Sequence, residues 1–103
     1  GNTYSDPNVS ETETFYYHTD SRRLAQIMQS HVTAATGFRD RGVTRKDLFV
    51  VREATMPAVL IEVGYLTNPR DETQMWNDDF QRRVAAAIVE GIKAYQREVE
   101  QRR

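Results

Sequence analysis

The chain has 103 residues, with 14 Lys+Arg against 15 Asp+Glu, two His and no Cys, which is the size of one small domain with one core. A formal net charge of −1 argues against nucleic acid as a partner and against a polybasic membrane anchor, and the lack of Cys excludes disulfides, thiolate nucleophiles and Cys-based zinc sites. Hydrophobic residues at 39% and charged ones at 28% indicate a folded globular chain rather than a disordered or fibrous one.

Residues 1–11 (GNTYSDPNVSE) are polar and turn-rich and read as an arm or loop. Thr12 to Tyr17 clusters aromatic residues as a half-buried strand does. From Asp20 or Ser21 the apolar positions Leu24, Ile27, Met28, His31, Val32 and Ala35 fall at spacings of three and four, which predicts a helix. Gly37 supplies its stop. Phe38 to Asp47 is charged and contains Gly42, and reads as a surface connection. Leu48 to Val51 and Ala58 to Val63 have the length and composition of buried strands.

Asn68-Pro69-Arg70-Asp71-Glu72 carries a cap, a proline at the first helical position and acidic residues in the first turn, predicting a short helix to about Trp76. Asp78 with Gln81 forms a capping box ahead of Phe80, Val84, Ala87, Ile88, Gly91, Ile92 and Tyr95. That predicts a long amphipathic helix with a fraying polar tail from Gln96 to Arg103. The longest apolar stretches, Ala58 to Ile61 and Val84 to Val89, fall far short of the ~20 residues that span a bilayer. No export-signal pattern is present, so any such segment is expected outside this chain.

The alternation of strands and helices suits an α/β layer arrangement. Both faces of the strand Ala58 to Val63 are mainly apolar, so helices are expected on both sides of it. Three strands make a narrow sheet, and a missing part of the domain is therefore expected.

Glu62 stands out because it shares a strand face with Ala58 and Leu60. A carboxylate there is costly unless paired, metal-bound or protonated, and a carboxyl partly kept from water at a strand end is the kind of group that general acid–base catalysis uses. The structural alternative is an ion pair, with Arg52 the obvious partner, or simple exposure. His31, on the apolar stripe of the first helix, reads as a satisfied boundary histidine. His18, near Asp20, could ligate metal, but no two-histidine helical motif is present. The serines lack a GxSxG context, and the glycines form no phosphate-cradling pattern. Arg39, Arg41, Arg45 and Lys46, interleaved with Asp40 and Asp47, read as a solvated loop, and Phe15, Tyr16 and Tyr17 as packing residues.

Several segments, taken in order, resemble the C-terminal half of the zinc-dependent N-acetylmuramoyl-L-alanine amidases of the amidase-3 family, which are bacterial cell-wall hydrolases. The segments are ETFYY from Glu13, DSRRLA from Asp20, TGFRDRGV from Thr36, MPAVLIEVGYLTNP from Met56 and VAAAIVEGI from Val84. The resemblance implies a twisted mixed sheet flanked by helices (phosphorylase/hydrolase-like), of which residues 12–103 would be the C-terminal part. It implies hydrolysis of the amide between N-acetylmuramic acid and L-alanine of the peptidoglycan stem peptide. Glu62 aligns with the family's catalytic glutamate, which assists a zinc-bound water and helps protonate the departing amine. The family's zinc ligands lie in an N-terminal half that this sequence does not match, and neither His18 nor His31 corresponds to one. The resemblance therefore implies a chain that is inactive alone, needs a complementary N-terminal half, and acts outside the cytoplasm in wall or periplasm.

Two other readings carry different expectations. A non-catalytic fragment would bind cell wall or a protein partner without chemistry. An interaction protein would use the long helix, Asp79 to Tyr95, as a docking surface.

Overall fold

The computed structural model describes residues 10–64 and 77–103. The first element is strand β1 (Glu11–Tyr16), buried along its whole length. It begins one residue before the expected strand, so Glu11 belongs to the sheet and not to the polar arm. A 3-10 turn at Thr19–Ser21 leads into helix α1 (Arg22–Thr36), whose predicted apolar stripe supplies the buried Leu24, Ile27, Met28 and Val32. Helix α1 ends at Gly37 in the left-handed conformation.

Strand β2 (Arg39–Arg45) follows, and it corrects the expectation of a surface connection over this stretch. Arg39 and Arg41 pair with Glu11 and Glu13 of the neighbouring strand, so the strand carries no apolar alternation to read. The next correction is Leu48 to Val51, expected as a strand, where the chain forms a one-turn helix, α2 (Phe49–Arg52). Only Val51 of that run is buried, while Phe49 and Val50 are exposed at 71% and 61%. A four-residue apolar run has no period of its own, and one-sided burial fits a turn of helix.

Strand β3 (Leu60–Val63) and helix α3 (Asp78–Gln101) complete the order. Asn77 caps α3, its Oδ1 accepting the Phe80 N–H at 2.8 Å, one residue before the expected Asp78. The polar tail stays helical to Gln101, and Arg23 of α1 holds its Glu98 through three N–H···O bonds of 2.8 to 3.0 Å. The helix expected over Asn68 to Trp76, and Tyr65, lie outside the described residues.

The sheet order is β2-β1-β3, parallel between β1 and β2 and antiparallel between β1 and β3. Among the described residues the sheet is narrow and mixed, as the resemblance implies, but its third strand is Arg39–Arg45 and not Leu48 to Val51. Val59, Ile61 and Val63 pack with Ala87, Ile88 and Tyr95 against the Leu24, Met28 and Val32 cluster. Both long helices accordingly lie on this face of the sheet. Helices on both faces of β3 were expected; among the described residues the two long helices cover one face, and on the other Leu60 and Glu62 stand opposite Phe15 and Glu13. At the contact between the two helices, Gly91 of α3 is buried, and a Cβ there would stand 2.8 Å from Met28 Sδ. A glycine is what lets the helices approach so closely.

Candidate active site

Period-two alternation sorts the side chains of β1 into two sets. Thr12 and Thr14 face α1, where Thr14 Oγ1 donates to Gln29 Oε1 at 2.8 Å and Gln29 Nε2 donates to the Thr12 carbonyl at 2.9 Å. Glu11, Glu13 and Phe15 therefore face the other way. In the β1–β3 pairing Glu13 stands opposite Glu62 and Phe15 opposite Leu60, and directly opposed residues share a face. Glu62 is thus on the side of the sheet away from both long helices, beside Glu13.

The β2 side of this face is set by a bulge. Thr12 pairs with Asp40 and Thr14 with Val43, so Arg41 and Gly42 together oppose the single residue Glu13. Gly42 has φ +78°, a conformation that glycine takes without strain. Asp40 Oδ1 closes the bulge by accepting the Gly42 N–H at 2.7 Å. The extra residue turns Arg41 onto the glutamate face. There its Nη1 lies 3.3 Å from Glu11 Oε1 and its Nε 3.8 Å from Glu13 Oε1. Thr44 Oγ1 donates to Glu13 Oε2 at 2.6 Å, and Arg39 Nε stands 3.8 Å from Glu11 Oε2.

The three glutamates are held differently. Glu11 and Glu13 are buried, at 4% and 9% exposure, and a buried carboxylate is tolerable when charged partners and hydrogen bonds surround it. Glu62 is partly exposed, and among the described residues no hydrogen bond or ion pair engages its carboxylate. Its expected structural partner, Arg52, is committed elsewhere, to Glu53 at 2.9 Å and Asp47 at 2.7 Å. Those bonds, the one to Glu53 foremost, hold the Arg52 guanidinium above its ordinary proton affinity.

The histidines serve structure. His31 Nδ1 is 2.9 Å from the Ile27 carbonyl one turn earlier in α1. His18 Nε2 is 2.7 Å from the Arg52 carbonyl, with its ring edge-on to Tyr17. Among the described residues no group of three or more His, Cys, Asp or Glu side chains could hold a metal ion, so these residues do not by themselves fit zinc. Ser21 is buried and does not cap α1 by its side chain. Its Oγ accepts the Ala58 N–H at 3.1 Å, which ties the approach to β3 onto the start of α1.

A family model described as N-acetylmuramoyl-L-alanine amidase matches residues 1–94. The chain belongs to this amidase family. Among curated relatives it is 39% identical over 92 residues to the uncharacterized protein YqiI of Bacillus subtilis, covering 85% of this chain and 45% of that protein. It is 37% identical over 98 residues to the N-acetylmuramoyl-L-alanine amidase LytC of the same organism, covering 93% of this chain and 20% of LytC. Among solved structures, the catalytic domain of CwlV, an N-acetylmuramoyl-L-alanine amidase from Bacillus (Paenibacillus) polymyxa var. colistinus, superposes with a TM-score of 0.80 at 42% identity. That match covers 90% of this chain and 52% of the CwlV chain. The chain therefore spans about half of a solved catalytic domain and less than half of these curated relatives. Its mixed sheet with flanking helices is the fold of those amidase domains.

The surroundings of Glu62 are not legible in the sequence. By sequence alone Arg41 falls in a solvated loop, and neither Glu13 nor Thr44 is singled out. Glu11 and Glu13 alternating in one strand, with Arg39 and Arg41 alternating downstream, is the pattern that points to them. The bulge at Gly42 hides it, because it breaks the period between Arg41 and Thr44.

Proposed function

We propose that this chain forms the glutamate-bearing half of a peptidoglycan amidase that cleaves the amide between N-acetylmuramic acid and L-alanine of the stem peptide. The observation that carries the reading is Glu62, a carboxylate on a sheet strand, engaged by no neighbour among the described residues, within a chain of the amidase family. In this reading Glu62 takes a proton from the attacking water and returns one to the amine as the C–N bond breaks, so that one carboxyl serves as base and then as acid. The sheet supplies the positioning, since a strand holds a side chain more firmly than a loop does.

The zinc expected of the family belongs, in this reading, to the complementary half of the domain, since the described residues of this chain do not fit it. The work assigned to this chain is proton transfer at Glu62 and the electrostatic setting of that carboxyl. Cell-wall substrate places the site of action outside the cytoplasm. No helix among the described residues is long and apolar enough to cross a membrane.

The test is Glu62→Gln in the domain reconstituted from this chain and its complementary half. Release of stem peptide from purified peptidoglycan should be abolished while zinc content stays the same. Hydrolysis within about tenfold of the parent, ~1.4 kcal/mol of barrier, would overturn the assignment. Retention of the chain on peptidoglycan without any turnover by the reconstituted domain would point instead to a binding fragment.

A further inference from the structure

Two features of the glutamate face are hard to reconcile with simple electrostatics. Like charges placed directly opposite each other across a strand pair are destabilising, yet Glu13 and Glu62 occupy such positions. An arginine is also at hand, because the bulge brings Arg41 onto the same face. A partly exposed glutamate in such company would ordinarily fall into an ion pair with the guanidinium. Glu62 does not.

The geometry of Glu13 accounts for both features. It lies on the central strand, between Arg41 and Thr44 on the β2 side and Glu62 on the β3 side. With strands about 4.8 Å apart, β2 and β3 are separated by roughly 10 Å, a gap that an arginine and a glutamate reaching toward each other close. Glu13 stands in that gap. Its Oε2 takes the Thr44 hydroxyl at 2.6 Å, and its Oε1 faces the Arg41 Nε at 3.8 Å. Glu11 holds the other end of the guanidinium through Nη1. The positive charge facing Glu62 is thus matched on the near side of the sheet before it reaches β3.

We propose that Glu13 is a positioning residue for Glu62: by holding Arg41 toward β2 it prevents the guanidinium from capturing the Glu62 carboxylate and leaves that carboxylate available for proton transfer. This rests on the reading of Glu62 as the reacting group. Removing the Glu13 charge takes away one of the carboxylates that hold Arg41 on the β2 side and shifts the guanidinium toward β3 and Glu62. A loss confined to proton transfer falls on kcat and not on KM.

The experiment uses the reconstituted domain with peptidoglycan fragments as substrate. Glu13→Gln should lower kcat by about tenfold or more with KM changed less than about twofold. The double variant Glu13→Gln/Arg41→Met, which removes the competing cation as well, should recover most of that loss. A generally structural role for Glu13 gives no such recovery. Activity of Glu13→Gln within about twofold of the parent, or a folded double variant no better than the single one, overturns the proposal. Should Glu13→Gln fail to fold, the double variant decides alone, since activity within about tenfold of the parent supports the proposal and its loss in a folded protein refutes it. A crystal structure of Glu13→Gln separates this inference from the reading it rests on. Arg41 within ion-pair distance of Glu62 supports the shielding even if Glu62→Gln proves active, and Arg41 still held at Glu11 removes it.

Discussion

Gln29 on α1 and Asp40 on β2 are joined by a 2.6 Å bond from Nε2 to Oδ1, and the same Asp40 oxygen accepts the Gly42 N–H. A buried helix side chain thereby fixes the bulge that turns Arg41 to the opposite face of the sheet. The same Gln29 amide also satisfies Thr14 and the Thr12 carbonyl. One side chain from the core therefore sets the register of β1 against β2 and, through it, the charge pattern beside Glu62.

Gln29→Leu leaves the Thr14 hydroxyl and the Thr12 carbonyl short of a partner in a buried setting and takes one partner from the exposed Asp40. The expected loss is about 2–3 kcal/mol of stability, read by chemical denaturation. A loss under about 0.5 kcal/mol, the range of an ordinary surface substitution, would show that the bulge holds without the helix.

Thr44→Val tests the short bond to Glu13 Oε2. The replacement keeps the shape and removes the donor, leaving a buried carboxylate oxygen less well satisfied. The expected cost is about 1.5–3 kcal/mol, the range for a hydrogen bond to a charged group. Comparing Thr44→Val, Glu13→Gln and the double variant by thermal unfolding should show coupling, with the double change costing less than the sum of the two.

Gly91→Leu places a side chain where even a Cβ would meet Met28 Sδ at 2.8 Å and Met28 Cε at 3.4 Å. Overpacking of this kind costs about 1–3 kcal/mol, more than the roughly 1 kcal/mol of helix propensity gained on leaving glycine. A variant as stable as the parent would mean that α1 and α3 separate at little cost.

The Arg23–Glu98 pair gives a pH dependence with a definite sign. The Arg23 hydrogen bonds, and then its charge, lower the Glu98 proton affinity below the ordinary carboxylate range. A carboxyl depressed on folding stabilises the folded chain above its unfolded value, and that contribution fades as pH falls through the folded one. Melting temperature should therefore drop more steeply below roughly pH 4 in the parent than in Arg23→Gln. The difference should shrink at high salt, because the pair is exposed and screened. Identical acid profiles for the two proteins would show that the pair does not hold the end of α3.

The sequence by itself determined whatever rests on local chemistry. The apolar stripe from Leu24 to Val32, the glycine stop at Gly37, the long amphipathic run from Phe80 to Tyr95 and the segments that resemble the amidase family are all patterns within one segment. Glu62 was legible for the same reason, as a carboxylate in an otherwise apolar strand. What only the tertiary structure decided depends on partners distant in sequence. Arg39 to Arg45 is a strand because Glu11, Glu13 and Gln29 receive its side chains, and Leu48 to Val51 is a helical turn because just one of its faces meets the core. The environment of Glu62 belongs to this second kind. The register that sets Glu13 opposite Glu62, and the bulge that brings Arg41 beside Glu13, are relations among three strands, and no single segment carries them.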